Sequence, residues 1–117
     1  MTRVALPDRR RSSVFLMSYA DRDYRVCVGF YSDGAVGEVF IDGPKEGSEI
    51  DVLLDDAAIL ASLALQHGVP AETLAKSMSR LPDDAFGRAK NAASVLGVAM
   101  DLVARITTQR KAIQGSI

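Results

Sequence analysis

Cysteine, histidine and tryptophan are almost missing from this 117-residue chain, which has one cysteine, one histidine and no tryptophan. A single cysteine excludes an intrachain disulfide and a Cys-x-x-Cys redox pair, and one histidine beside it cannot complete a Cys/His zinc cluster. The formal net charge of −1 is not that of a strongly basic nucleic-acid binder. No apolar run approaches the roughly 20 residues that span a bilayer. We therefore expect a cytoplasmic protein without a membrane segment.

What is present fits one small folded domain. Apolar residues make up 48 % of the chain and charged residues 25 %, which are ordinary values for a globular protein. The length allows one domain and not several. The composition changes along the chain predict a flexible basic arm at 1–12, a single α+β domain at 13–106 and a polar tail at 107–117.

Strand-like patterns fill the first part of the domain. Residues rich in β-formers occupy 13–20, 24–31 and 36–42, with polar turns at 20–23 and 32–35 between them. This order predicts a three-stranded antiparallel meander. Its first strand is apolar on both sides, with Val14 and Leu16 on one face and Phe15, Met17 and Tyr19 on the other. A sheet with one solvated face alternates apolar and polar residues, so we expect helices of this chain on one face and a partner on the other.

Helical patterns follow the third strand. Ser48 is the predicted N-cap of a helix that runs to about Gln66, Gly68 is its stop, and Pro70 begins a short helix that ends near Ser79. A further helix comes later, and residues 83–91 fit either a helix or a loop. We expect two to four helices, all packed on one face of the sheet. The apolar stripe of the long helix, predicted to face the core, consists of Ile50, Leu53, Leu54, Ala57, Leu60, Ala61 and Ala64.

Few residues are candidates for a functional site. Cys27 lies mid-strand between two valines and is interpreted as a buried structural thiol, and His67 as a residue that ends the long helix. No catalytic residue, metal ligand or cofactor is predicted. The arginine run in the arm is either a loose polar segment or a contact for an anionic partner, because guanidinium groups bind phosphate. The candidates for an interface or ligand site are Arg9, Arg10, Arg11, Phe15, Met17, Tyr19 and Tyr31.

Two stretches of the chain resemble a known family. The first is VGFYSDGAVGEVFI at 28–41 followed by KEGS at 45–48, and the second is SLALQHGVP at 62–70. Together they resemble the TSCPD domain, a small domain found at the C-terminus of adenosylcobalamin-dependent (class II) ribonucleotide reductases and also as a free-standing protein. The resemblance covers about residues 24–104, although the Thr-Ser-Cys-Pro-Asp motif is absent. The matching positions, interpreted as turn and cap residues, are Gly34, Gly37, Glu38, Gly47 and Ser48.

The resemblance implies a non-catalytic accessory or oligomerisation module in the context of ribonucleotide reduction and DNA synthesis. The reductase's radical-forming and redox-active cysteines have no counterpart here, so we expect no activity of the chain alone and no cofactor. The expected partners are a second copy of the chain, first of all in a dimer, and a ribonucleotide reductase or another larger protein. Two alternatives stay open: a small-ligand binder for a nucleotide or a cobalamin, and a weak nucleic-acid binder through the arginine run, which is the least favoured.

Overall fold

The first half of the chain forms a three-stranded antiparallel sheet in the order β1–β2–β3, as predicted. β1 spans Ser12–Tyr19, β2 spans Arg22–Phe30 and β3 spans Val36–Asp42. The computed structural model describes residues 2–44, 47–81 and 91–115. Three helices follow the sheet, which makes the fold α+β.

The first hairpin is tighter than the polar turn expected at 20–23. Only Ala20 and Asp21 form its loop, both with positive φ (50° and 62°), and Tyr19 pairs with Arg22 across it. Two consecutive left-handed residues make the type I′ turn that matches the twist of the flanking strands. β2 therefore begins at Arg22, two residues earlier than the sequence pattern indicates.

The second hairpin contains a bulge that the alternation pattern does not reveal. Gly29 pairs with Glu38 while Phe30 pairs with Val36, so Gly37 is an extra residue on β3. The turn before it has the expected left-handed glycine, Gly34, at φ 89°. A bulge bends its strand and re-aims neighbouring side chains, and in this protein it lies beside the candidate site described below.

Helix α1 spans Glu49–Gln66, and both of its predicted ends are confirmed. The Ser48 side chain accepts a hydrogen bond from the Asp51 N–H (3.1 Å), which satisfies one of the free amides of the first turn. At the other end Gly68, at φ 90°, donates to the Leu65 carbonyl, and the Val69 N–H donates to the Ala64 carbonyl. These two bonds form a Schellman motif, which ends the helix.

The two later helices start at residues other than those expected. α2 spans Ala71–Ser77, with Pro70 as its N-cap instead of its first residue. α3 spans Val95–Gly115, and Ser94 caps it by accepting from the Gly97 N–H (3.0 Å). The sequence pattern leaves 83–91 open between a helix and a loop, and most of that segment lies outside the described residues. α3 also continues through 107–115, part of the segment predicted to be a polar tail.

The core lies between one face of the sheet and the helices. α1 packs on β3, and α2 packs on α3. Two hydrogen bonds of 2.7 Å from Arg80 to Asp101 tie the end of α2 to α3, and they raise the pKa of Arg80. In the described ranges, no helix is long and apolar enough to cross a membrane. The fully buried side chains are Val26, Val28, Val39, Ile41, Ala58, Ala99, Met100 and Val103.

α1 turns a different face to the core than its apolar pattern predicts. Leu53 and Leu60 are 66 % and 69 % exposed, whereas the polar Ser62 and Gln66 are buried. The reason is that α1 runs beside β3, the last strand of the sheet. The Ser62 hydroxyl donates to the Val39 carbonyl (3.1 Å) and accepts from the Val39 N–H (3.0 Å). Backbone groups at a covered strand edge need polar partners, so hydroxyl and amide side chains take the inward position.

Candidate functional site

A groove of about 740 Å³ lies between the N-terminal arm, the turn after β2 and the end of α1. Most of its exposed lining is apolar and comes from Val4, Pro7, Ala35 and Leu65 together with the ring of Tyr31. Polar groups at its margin belong to Asp33, Gln66 and His67. Apolar walls with a few convergent polar groups are the usual composition of a small-molecule site.

The arm forms one wall of this groove because it is bonded to the domain. The Val4 N–H donates to the Gln66 carbonyl (2.9 Å), and the Arg3 Nε donates to the Gln66 Oε1 (2.6 Å). The Tyr31 hydroxyl donates to the Val4 carbonyl. These contacts join Arg3 and Val4, in the segment 1–12 predicted to be a flexible arm, to the end of α1 and to the turn after β2.

A second, basic pocket of about 440 Å³ adjoins the groove and shares Pro7, Tyr31 and Ser32 with it. Arg9, Arg10 and Arg11 all line this pocket. The structure therefore brings together four of the seven candidate residues, the three arginines and Tyr31, although the ligand itself is still only a prediction.

The three arginines of the pocket differ in how they are held. Arg10 binds the Glu38 carboxylate with both arms of its guanidinium (2.5 and 3.1 Å), and this hydrogen bonding raises the pKa of Arg10. In the part of the chain that the structure describes, neither Arg9 nor Arg11 pairs with a carboxylate. Arg10 therefore fixes the arm, and its two neighbours are left to face the pocket and solvent.

Two glycines make room for the groups that hold the arm. A Cβ on Gly29 would lie 2.2–2.7 Å from three atoms of the Glu38 side chain, so only glycine leaves space for that buried carboxylate. A Cβ on Gly37 would lie 2.5 Å from the Tyr31 ring and 2.8 Å from the Leu6 side chain. Burial raises the pKa of Tyr31. Gly37 and Glu38, interpreted from sequence as turn or cap positions, lie inside β3, whereas Gly34, Gly47 and Ser48 do lie at turns and a cap.

The three remaining candidates lie on β1, the other outer strand of the sheet. Phe15, Met17 and Tyr19 point toward the helices and are half-buried against the core. Val14 and Leu16, on the opposite face, are 56 % and 81 % exposed. Nothing among the described residues hydrogen-bonds to the outer edge of β1. Whether Phe15, Met17 and Tyr19 belong to an interface is still a prediction.

The residues tested for chemistry are not brought together. Cys27 is a free thiol, only half-buried on the uncovered face of the sheet instead of in the core. His67 ends α1, as expected, and borders the groove. Within 2–44, 47–81 and 91–115, no three His, Cys, Asp or Glu side chains are close enough to hold a metal ion.

The outer face of α1 is an exposed apolar surface, although part of it was predicted to face the core. It exposes Val52, Leu53, Ile59 and Leu60 to solvent. Three acidic residues, Glu49, Asp55 and Asp56, are exposed on the same helix, which has no lysine or arginine. The sequence contains one signal of this orientation, the polar residues Ser62 and Gln66, which have helical i, i+4 spacing within an otherwise apolar stretch. They mark the inward side of α1, and the exposed leucines lie on the other side.

Comparison with known proteins agrees with the resemblance seen in the sequence. The family model described as TSCPD domain matches residues 6–109. The chain is 38 % identical over 89 residues to a vitamin B12-dependent ribonucleotide reductase of Rhodopirellula baltica, and 32 % identical over 100 residues to one of Agrobacterium fabrum. These matches cover 76 % and 80 % of this chain but 9 % and 8 % of the relatives, so the chain spans less than a tenth of their length. No solved structure gives a significant match.

Proposed function

Because the chain belongs to the TSCPD-domain family, we propose that it is a non-catalytic assembly module of ribonucleotide reduction, the reaction that supplies deoxyribonucleotides for DNA synthesis. Its first partner is a second copy of the same chain. The observation that supports this proposal is the outer edge of β1, which is open and apolar on both faces.

The two outer strands of the sheet, β1 and β3, differ in whether their free backbone edge is covered. The edge of β3 is covered by α1, and Ser62 satisfies both backbone groups of Val39. The eight residues of β1 contain no charged residue and no proline, and charges, prolines and bulges are the usual protection of an open strand edge. An unprotected edge presents a row of backbone donors and acceptors, so it is suited to pairing with another strand.

A second copy of β1 is the occupant that fits this edge. A neutral strand pairs antiparallel with itself without placing like charges opposite each other. Such pairing extends the sheet to six strands and gives Val14 and Leu16 on one face, and Phe15, Met17 and Tyr19 on the other, apolar neighbours from the second copy. Each cross-strand side-chain pair stabilises a sheet by about 0.2–1 kcal/mol, and a two-fold interface counts each contact twice.

The outer face of α1 supports a second role, docking onto a larger protein. Because this helix has acidic residues and no basic ones, two copies of it repel each other, so α1 of a second copy is not its partner. The complementary partner is an apolar helix or groove bordered by lysine or arginine. In the context of the relatives, this partner is a vitamin B12-dependent ribonucleotide reductase.

Two matched substitutions, Leu16→Lys on β1 and Leu60→Lys on α1, test the two surfaces. Both leucines are largely exposed, so neither lysine disturbs the core. Analytical ultracentrifugation should give a mass of about 25 kDa, twice the 12.5 kDa chain, for the unchanged protein and for Leu60→Lys. Leu16→Lys should give 12.5 kDa, since it places two lysines near the two-fold axis.

Calorimetric titration with a purified vitamin B12-dependent ribonucleotide reductase compares how the same two variants bind the larger protein. Leu60→Lys should abolish heat of binding, and Leu16→Lys should keep it. An unchanged protein that stays monomeric at high concentration would refute the β1 proposal, as would a Leu16→Lys variant that remains a dimer. Equal binding of the reductase by both variants would refute the role of α1.

A further inference from the structure

We propose that the groove and the adjoining arginine pocket form one binding site for a small organic phosphate with a flat apolar body. The body lies in the groove against Tyr31, and the phosphate lies between Arg9 and Arg11. This inference is independent of self-association through β1, because it concerns a different surface and a different kind of ligand.

The groove has the size and the lining for the apolar part of such a ligand. Its volume of about 740 Å³ lies within the range of roughly 300–1,000 Å³ typical of small-molecule sites. Tyr31 offers a flat aromatic wall, and its hydroxyl is already used in the bond to the Val4 carbonyl. The ring is therefore held in place before a ligand arrives, which lowers the entropic cost of binding.

The arginine pocket has the charge for the anionic part. Arg3, Arg10 and Arg110 around the groove bind Gln66, Glu38 and the Asp33 carbonyl respectively. Arg9 and Arg11 line the pocket without a carboxylate partner among the described residues. The planar guanidinium matches phosphate with two parallel hydrogen bonds. Because the Arg10–Glu38 pair holds the arm, the two unpaired arginines are presented on a backbone that is already anchored.

Carboxylates near the site restrict the ligand to a compact anion. Asp8 directly precedes the arginine run, and Asp33 lines the groove. An extended polyanion that follows the arm and the groove passes both negative charges, whereas a ligand with one phosphate between Arg9 and Arg11 places only its apolar body in the groove beside Asp33. The geometry therefore favours a small molecule over a nucleic-acid strand.

Calorimetric titration with naphthyl phosphate tests this inference, with naphthol and inorganic phosphate as the two half-ligands. Naphthyl phosphate should bind at least about tenfold more tightly than either half, because it alone uses the groove and the arginines together. The double variant Arg9→Gln/Arg11→Gln should lose about tenfold or more of this affinity, since two charge-assisted donors are removed. The matched control Arg22→Gln/Arg25→Gln removes the same charge from exposed positions on β2 and should bind as the unchanged protein does.

Thermal unfolding of both double variants separates a lost contact from a lost fold, and both should unfold at the temperature of the unchanged protein. Equal affinity for naphthyl phosphate and inorganic phosphate would refute the role of the groove. Equal losses in the two double variants would refute a specific role of Arg9 and Arg11. An oligothymidylate that binds more tightly than naphthyl phosphate, with an affinity that falls steeply with salt, would identify a nucleic-acid surface instead.

Discussion

Gly29→Ala should destabilise the protein through one identifiable contact, the buried side chain of Glu38. A Cβ at position 29 would lie 2.2 Å from the Glu38 Oε1, 2.5 Å from its Cγ and 2.7 Å from its Cδ. Glu38 cannot simply swing away, because Arg10 holds both of its oxygens and the side chain is buried. The new methyl group therefore forces the carboxylate out of its place and releases the arm.

The magnitude follows from two opposing effects. Inserting a methyl group into a filled site costs about 1–3 kcal/mol, whereas replacing glycine by alanine inside a strand gains about 0.5–1 kcal/mol. The difference is a net loss of up to about 2.5 kcal/mol, with a fall in Tm of roughly 4 °C for each kcal/mol. In a Glu38→Ala background the obstruction is gone, so the same Gly29→Ala change should be stabilising.

A double-mutant cycle measured by urea unfolding provides the assay. Circular dichroism follows the unfolding of the four proteins at one fixed concentration, because the proposed self-association would make stability depend on concentration. The expected coupling energy between positions 29 and 38 is about 1–3 kcal/mol. If Gly29→Ala costs the same free energy with and without Glu38, the two side chains do not compete for one space and the reasoning is wrong.

Two further predictions concern Tyr31 and Ser48. Burial raises the pKa of Tyr31 above its unfolded value of about 10, so the folded state holds this proton more tightly than the unfolded state does. The free energy of unfolding should therefore fall as the pH rises from about 10 through the folded pKa. Tyr31→Phe should flatten that alkaline decline in urea titrations at successive pH values, and an unchanged slope would contradict the assignment. Ser48→Ala should lower the free energy of unfolding by about 0.5–2 kcal/mol, because it removes the N-cap of α1. Ser48→Asn retains a cap acceptor and should keep most of that stability. A Ser48→Ala protein as stable as the unchanged one would argue against the cap.

Local signals in the sequence are enough to predict most of the fold. The cap at Ser48, the stop at Gly68 and the left-handed turn at Gly34 each depend on residues only a few positions apart. Val26 and Val28 are two positions apart, so strand alternation puts them on one face of β2, and both are fully buried in the structure. These features were predictable because their physical causes lie within single segments of the chain.

The face of α1 was not predictable from hydrophobicity alone. Leu53 and Leu60 are more apolar than Ser62 and Gln66, yet the leucines are exposed and the polar pair is buried. The deciding factor is the backbone of β3, whose edge groups need hydrogen bonds from the helix. A pattern of side chains does not show where another strand's backbone will lie, so the prediction fails at this contact.

The candidate groove depends even more on contacts between distant residues. Glu38 and Arg10 are 28 positions apart, and Arg3 and Gln66 are 63 positions apart. The sequence identifies the arginine run as a possible anion contact, but only the fold shows that Arg10 anchors the arm while Arg9 and Arg11 face a pocket. The glycines at 29 and 37 become meaningful only when the side chains that occupy their space are known.

The net charge of the chain is small because a positive segment and a negative segment nearly cancel. Residues 1–12 carry four arginines and one aspartate, a formal +3, whereas the 18 residues of α1 carry four acidic residues and no basic one, a formal −4. We therefore expect the arm of one copy to attract α1 of another at low ionic strength, through a contact that does not involve β1. Salt screens these exposed charges beyond about 8 Å at physiological strength, whereas the proposed pairing of β1 depends on apolar contacts and backbone hydrogen bonds that salt does not screen. Self-association through β1 should therefore persist as the salt concentration is raised. Association that disappears with salt would have to be assigned to contacts between the arm and α1 instead.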